Sequence, residues 1–342
     1  MYVIRKMNIK KVEIKQEWET LLLSANIRQE ANIEDVYGIY NEEDILIATG
    51  SVYKNILKCI AISDEYRGGV VLGQLITQLI NVVWQNNYHA CYVYTKADTT
   101  DSFKHLGFKE IARVNDELVF LEKAIHGFDE YCQQLHNCKR EGQVVSAIVM
   151  NANPFSKGHQ YLVEQASKAS DWVYVFVLSE DASEFPFAIR KQLVIAGTKH
   201  LSNVMVLDTS NYLISSQTFP SYFLKEDADV IKIQAQLDAM IFKERIAKEL
   251  GITHRYVGEE PFSLTTAIYN EVLQELLRPE IEVRVVARKE VNDEVISATT
   301  IRSLLKENNL EAVKDYVPLT TYEFLISELG MHIIKNLQKG GK

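Results

Sequence analysis

Between Val144 and Val286 short apolar runs alternate with longer stretches of helical periodicity. That alternation confines this part of the chain to a parallel sheet with helices on both faces. Strands are expected at Val144 to Met150, Trp172 to Leu178, Val204 to Leu207, Arg255 to Val257 and Ile281 to Val286. Helices are expected at His159 to Ala169, Pro186 to Thr198, Gln236 to Leu250 and Thr265 to Leu277. The runs are dense in Val and Ile, as strands covered on both faces require. Sheets of this kind bind ligands beyond the carboxyl ends of their strands. Asn151 to His159 and Gly258 to Phe262 fall at such ends, and Ser297 to Arg302 lies in the loop and helix start after the last strand.

The first of these segments predicts an anion site. An apolar run ends at Met150, a polar turn Asn151-Ala152-Asn153-Pro154-Phe155-Ser156-Lys157 follows, and a helix opens at Gly158-His159. Backbone amides at a helix start, with the positive end of the dipole, attract anions before any side chain contributes. His159 adds a donor. In Ile296-Ser297-Ala298-Thr299-Thr300-Ile301-Arg302, hydroxyls at a second helix start precede an arginine able to pair with phosphate oxygens. Two such sites suit one nucleoside triphosphate.

Ser156-Lys157-Gly158-His159 resembles the [His/Thr]-x-Gly-His signature of nucleotidyltransferases, and Ile296 to Arg302 resembles their Ile-Ser-Ser-Thr-x-Ile-Arg signature. Ser156 stands where that family often has His or Thr, and Ala298 where a second Ser is common. More narrowly, Asn151 to Phe155, Phe219 to Lys225 and Gly251 to Gly258 resemble the citrate lyase ligases over nearly the whole chain. The resemblance implies that ATP, with Mg²⁺ carried on its phosphates, activates acetate as acetyl-AMP. The acetyl group then passes to the coenzyme-A-derived thiol arm on the acyl-carrier subunit of citrate lyase, switching that lyase on. His159, Ser156 and Arg302 would be the catalytic contacts. Asn151, Asn153, Pro154, Phe155, Gly158, Gly258, Glu259, Ser297, Thr299 and Thr300 would line the nucleotide site. Glu260 is a further candidate for the adenosine. Arg190 has two readings, substrate-facing or an ordinary surface arginine, and Asp208 has two, a wall of the acyl pocket or a strand-end turn residue.

The chain is 342 residues long, more than one hydrophobic core usually serves. Residues 1 to 123 are expected to form a first domain, 124 to 142 a polar linker, and 143 to 342 the nucleotide-binding domain. In the first, Asp35 to Tyr40 and Ile45 to Val52 flank the acidic turn Asn41 to Asp44 and predict a hairpin. Ile56 to Ile62 and Ala90 to Thr95 are further strands, and Gly73 to Trp84 has the apolar spacing of an amphipathic helix. The order of Ile60 to Ile62, Glu65 to Gly69 and Ser102 to Phe108 resembles the GCN5-related N-acetyltransferase fold, whose glycine loop turns its amides to the pyrophosphate of coenzyme A. Here Val70 and Leu72 stand where that loop has Gly or Ala, and the glycines are Gly68, Gly69 and Gly73. The expected fold class is therefore α/β, an acetyltransferase-like α+β domain followed by a Rossmann-like parallel-sheet domain. The first domain is expected to grip the carrier's thiol arm.

A formal charge of −9 without Lys/Arg clusters opposes a nucleic-acid partner, and with it a related reading as an acetate ligase acting on a tRNA base. A cofactor adenylyltransferase would need a further basic site for its phosphorylated substrate, and a pair of non-catalytic sensors would have no use for the two signatures. Cys59, Cys91, Cys132 and Cys138 lack metal or redox spacing and are expected as reduced thiols. No run of 18 apolar residues and no signal-peptide pattern occurs, so no membrane partner and a cytoplasmic location are expected. The C-terminal Tyr322 to Leu337 has the periodicity of a packed helix.

Overall fold

The computed structural model describes residues 2–30, 32–67, 69–180, 183–213, 227–259, 264–291 and 294–339. Gly68, the Phe219 to Lys225 motif, and Glu260 to Phe262 lie outside the described residues. The chain divides into two compact units, Met1–Cys132 with Thr218–Met240, and Gln133–Gln217 with Ile241–Lys342.

In the first unit the elements run β1 (Val3–Lys6), α1 (Val12–Ser24), β2 (Asp35–Tyr40), β3 (Leu46–Tyr53), β4 (Ile56–Ile62), α2 (Gly69–Gln85), β5 (Ala90–Thr95), α3 (Thr100–His105), β6 (Lys109–Val114), β7 (Leu118–Ala124) and α4 (Phe128–Asn137). One seven-stranded sheet has the order β1-β2-β3-β4-β5-β7-β6. The expected hairpin is β2/β3, carrying a register shift at Ile39/Tyr40. Helix α2 drives the assembly, because Leu75, Ile76, Leu79 and Val83 on one stripe are fully buried against the sheet. Each such side chain contributes roughly 1.5–3 kcal/mol of transfer free energy. Strands β4 and β5 are parallel and pair only at Ile56↔Tyr92 and Leu57↔Val93. Beyond that point a cavity of about 500 Å³ opens, with Ile60, Leu72, Val93 and Phe103 on its apolar walls and Arg67 and Lys96 among its lining residues.

The stretch 124 to 142, expected as a linker, contains α4. Phe128, Tyr131, Cys132 and Leu135 are buried along one face of it. The Glu122 carboxylate, itself 4% exposed, accepts the Phe128 N–H at 2.6 Å, capping an otherwise unsatisfied helix start.

The second unit continues β8 (Val145–Met150), α5 (Lys157–Lys168), β9 (Trp172–Val177), α6 (Phe187–Thr198) and β10 (Val204–Asp208). Helix α7 (Asp227–Ile241) belongs to the first unit up to Met240; in the second, a π-helical turn at Phe242–Ile246 and α8 (Ala247–Leu250) then lead to β11 (His254–Gly258), α9 (Leu264–Leu277) and β12 (Glu282–Val286). The five strands form an all-parallel sheet of order β10-β9-β8-β11-β12. The order reverses at β8, so the crevice between the carboxyl ends of β8 and β11 is the topological switch point. Four helices complete the unit: α10 (Ala298–Lys306), α11 (Leu310–Val313), α12 (Leu319–Leu325) and α13 (Glu328–Gln338). The single C-terminal helix expected from Tyr322 to Leu337 is thus broken. Ser327 Oγ donates back to Phe324 O (2.6 Å) and accepts the Gly330 N–H (3.2 Å), ending one helix and capping the next.

Candidate nucleotide site

Ser156 is the N-cap of α5. Its Oγ accepts the His159 N–H (3.2 Å), while the Ser156 N–H donates to His159 Nδ1 (3.1 Å). This is a capping box closed by a histidine instead of a glutamate. A backbone N–H is always a donor, so Nδ1 is the acceptor and the neutral ring carries its proton on Nε2. Burial, with the positive charge of Arg288 nearby, holds the His159 imidazole down at about 4, so it stays neutral at physiological pH. The ring stacks on Phe155, centroids 5.9 Å apart and planes 14° apart. Phe155 is fully buried and packs against Gly197 of α6, where a Cβ would come within 2.4 Å of the phenyl ring. Gly197 therefore leaves the room that seats Phe155, and Phe155 seats His159.

The second segment meets the first. Ser297 Oγ caps α10 by accepting the Thr300 N–H (3.0 Å) and lies 2.8 Å from the Thr300 hydroxyl. A Cβ on Gly158 would lie 3.5 Å from Ile296 O, which puts the start of α5 beside the entry to α10. Arg302 donates through one amino group to Asn153 O (2.8 Å) and through the other to Thr299 Oγ1 (3.3 Å), and its Nε is 3.4 Å from the Glu184 carboxylate. Asn153 donates to the same carboxylate and accepts the Phe185 N–H (3.1 Å). Burial pushes the Glu184 carboxyl up, but the Asn153 hydrogen bond with Arg302 and Lys306 outweighs it and holds it below its usual value.

Several helix-start amides are already spent within the fold. Lys157 N–H donates to Tyr316 O (2.9 Å), and the His159 and Thr300 amides go to the cap hydroxyls. Among the described residues, no hydrogen bond uses the N–H of Gly158, Ala298 or Thr299. These three amides, the His159 Nε2–H and the Arg302 guanidinium form the donor set of the site, which suits an oxyanion. The sequence reading gave Ser156 a phosphate contact. Its side chain is 2% exposed and its hydroxyl is turned inward to the cap. Among the described residues there is no group of three or more His, Cys, Asp or Glu placed to hold a metal ion.

Arg190 is neither of the things expected of it. It is fully buried and donates to Phe185 O, to Asn151 O and Oδ1, to Leu178 O and to Glu180 O, at 2.6–2.9 Å. It therefore ties together the loops after β8 and β9. Asp208 is paired with Lys191 (2.9 Å). Gly258 ends β11, and its carbonyl accepts from Asn270 (3.2 Å). Glu259 is held at both ends, its N–H donating to Val286 O (2.8 Å) and its carbonyl accepting from Arg288 Nε (2.7 Å). Sequence reasoning passed over Glu184, Tyr316 and Arg288. Only Arg288 carried a local signal, as part of a basic pair just past a strand.

A doubly wound parallel sheet with two capped helix starts meeting at its carboxyl edge is a Rossmann-like α/β domain, here following an α+β unit built on one mixed sheet. Residues 145–325 match the citrate lyase ligase C-terminal domain family. The [Citrate [pro-3S]-lyase] ligase of Escherichia coli K12 is 36% identical over 297 residues, covering 85% of this chain and 84% of the relative. That of Klebsiella pneumoniae is 39% identical over 286 residues, 82% and 84% respectively. The chain belongs to the [citrate [pro-3S]-lyase] ligase family. Among solved structures, a putative acyl-CoA N-acyltransferase from Klebsiella pneumoniae aligns with 36% of this chain and 98% of its own (TM-score 0.31, 14% identity). Thermotoga maritima TmcAL bound with alpha-thio ATP aligns with 56% and 57% (TM-score 0.37, 16% identity). No described helix is long and apolar enough to cross a membrane.

Proposed function

We propose that this ligase uses ATP to convert acetate to acetyl-AMP, and that the thiol on the acyl-carrier subunit of citrate lyase then takes the acetyl group. In the first step an acetate oxygen bonds to the α-phosphorus as the bond to pyrophosphate breaks. In the second the thiol sulfur bonds to the acetyl carbon, AMP leaves, and the thiol proton goes to solvent. The observation that carries the reading is the meeting of the two helix starts beyond the carboxyl end of β8, with unspent amides at both and a neutral His159 at the first. No protein nucleophile is needed, because positioning and charge stabilisation suffice for such a displacement. His159 Nε2–H contacts the phosphates around the breaking bond, Arg302 with the Ala298 and Thr299 amides holds the leaving pyrophosphate while Ser297 and Thr300 cap that helix start, and Gly258 with Glu259 borders the adenosine. Ser156, Asn153 and Phe155 act by fixing His159 and Arg302. Mg²⁺, carried on the nucleotide's own phosphates, would offset their charge there.

The cavity between β4 and β5 supports the first unit as the holder of the carrier's thiol arm. It joins an apolar cleft to Arg67 and Lys96, which suits an uncharged chain ending in phosphate. ATP–pyrophosphate exchange with purified protein and Mg²⁺ tests the chemistry, comparing acetate, no carboxylate, and a phosphopantetheine-type substrate. Exchange that requires acetate supports the ligase. Exchange driven by the phosphorylated compound replaces it with a cofactor adenylyltransferase.

A further inference from the structure

We propose that Glu184 is a positioning residue of the reaction: it aims the Arg302 guanidinium and, as its counter-charge, limits how tightly that arginine grips pyrophosphate. The inference rests on the adenylation reading above, in which Arg302 faces the leaving group. Three residues close a ring of polar contacts. Arg302 Nη1 donates to Asn153 O (2.8 Å), Asn153 Nδ2 donates to one oxygen of the Glu184 carboxylate, and the other oxygen lies 3.4 Å from Arg302 Nε. Asn153 is buried and its Oδ1 accepts the Phe185 N–H (3.1 Å), so the carboxylate is held by a fixed neighbour. Arg302 Nη2 donates to Thr299 Oγ1 (3.3 Å). Among the described residues, one N–H on each amino nitrogen of Arg302 is left unspent.

The Arg302 and Glu184 side chains are 23% and 36% exposed, so water screens the pair and it contributes little to stability. Its consequence falls on the ligand. Pyrophosphate at the start of α10 meets the Arg302 guanidinium and the Ala298 and Thr299 amides, with the exposed Lys306 ammonium one turn further along the same helix. Such a cluster attracts the free polyanion strongly, yet holding the product as well as the transition state adds nothing to the rate and delays release. A carboxylate beside Arg302 offsets part of that attraction. It also sets the guanidinium in place before the nucleotide arrives, so no reorganisation is needed during the reaction.

The sign of the effect separates this role from a purely structural one, because loss of a structural brace loosens pyrophosphate whereas loss of a counter-charge tightens it. The test is equilibrium dialysis of labelled pyrophosphate with Mg²⁺ against the full-length protein and its variants, with circular dichroism to check folding. The Michaelis constants for pyrophosphate and acetate in ATP–pyrophosphate exchange are measured beside it. Glu184→Gln is expected to bind pyrophosphate about 2- to 5-fold more tightly, the range for one exposed ion pair, and to lower its Michaelis constant to match while that for acetate stays put. Glu184→Ala, which also drops the Asn153 bond, is expected to shift in the same direction. Glu184→Asp keeps the charge and is expected to stay within about 2-fold of wild type. Arg302→Ala is expected to weaken pyrophosphate by about 10- to 100-fold, the range for a charged hydrogen bond, and adding Glu184→Gln to it should change nothing further. Unchanged or weaker binding in whichever of the Glu184→Gln and Glu184→Ala proteins folds overturns the inference, and acetate-dependent exchange by the wild-type protein then leaves the adenylation reading intact. A wild-type protein that neither binds pyrophosphate nor exchanges it overturns both.

Discussion

Ser156→Ala separates two roles that the sequence alone leaves superimposed. If the hydroxyl is a phosphate donor, its loss removes on the order of 3 kcal/mol of transition-state stabilisation, about 100-fold in rate, and leaves the fold nearly unchanged. If it is the cap of α5, the larger effect is on stability. The Oγ accepts the His159 N–H at 3.2 Å, and replacing such a cap with Ala costs about 1 kcal/mol, range 0.5–2. The side chain is 2% exposed, so deletion leaves a small void and no new solvent contact. The histidine keeps its tautomer, because the Ser156 backbone N–H, which the substitution retains, still donates to Nδ1 at 3.1 Å. The structure therefore predicts a loss of about 1 kcal/mol in urea unfolding and less than about 10-fold in acetate-dependent ATP–pyrophosphate exchange. His159→Ala, measured beside it, is expected to lose about 100-fold or more in exchange, because it removes the Nε2–H itself. A Ser156→Ala enzyme of wild-type stability that exchanges 100-fold more slowly would refute the capping argument.

The remaining expectations concern pH and packing. His159 falls from an ordinary 6.5 to about 4 on folding, so the native state resists its protonation. Its contribution to stability is complete above pH 6.5 and is lost as pH falls towards 4, reaching about 3 kcal/mol. Urea unfolding across that window should show a slope that His159→Asn removes, and an equal slope in both proteins counts against a ring held neutral by the fold. Gly197→Ala gains about 1 kcal/mol of helix propensity and loses about 1–3 through overpacking against Phe155, for a net loss of up to about 2 kcal/mol. Because the displaced ring stacks on His159, exchange by the folded variant should also slow, and an unaltered rate shows that Phe155 can shift without moving the histidine. Gly330→Ala places a Cβ 2.1 Å from Phe324 O and 2.8 Å from Leu325 Cα, both backbone, so its loss in urea unfolding should exceed the roughly 3 kcal/mol of ordinary overpacking. A loss below 1 kcal/mol contradicts the close α12–α13 corner.

The elements that were legible in the sequence are those whose hydrogen bonds and burial are set locally. Buried parallel strands read as unbroken apolar runs, and β8, β9, β10, β11 and β12 all lie within a residue or so of their expected bounds. Helix α4 was missed although Phe128, Tyr131, Cys132 and Leu135 have helical spacing, because its cap is a buried Glu122 from the preceding strand instead of a residue at the helix start. The break at Ser327 was hidden for the converse reason: Ser327 looks like any polar residue until Gly330 allows the chain to fold back onto Phe324. The site followed the same rule. Its two segments were evident from their own residues, but the state of each polar group depended on the rest of the fold. Tyr316, from a loop between two late helices, consumes the Lys157 amide, and Arg190 spends its guanidinium on the carbonyls of distant loops. A binding site consists of the donors left over once the fold has met its own hydrogen-bonding needs. Which donors those are is a tertiary fact: Ser156 looks available in the sequence, and its hydroxyl is spent on the cap of α5.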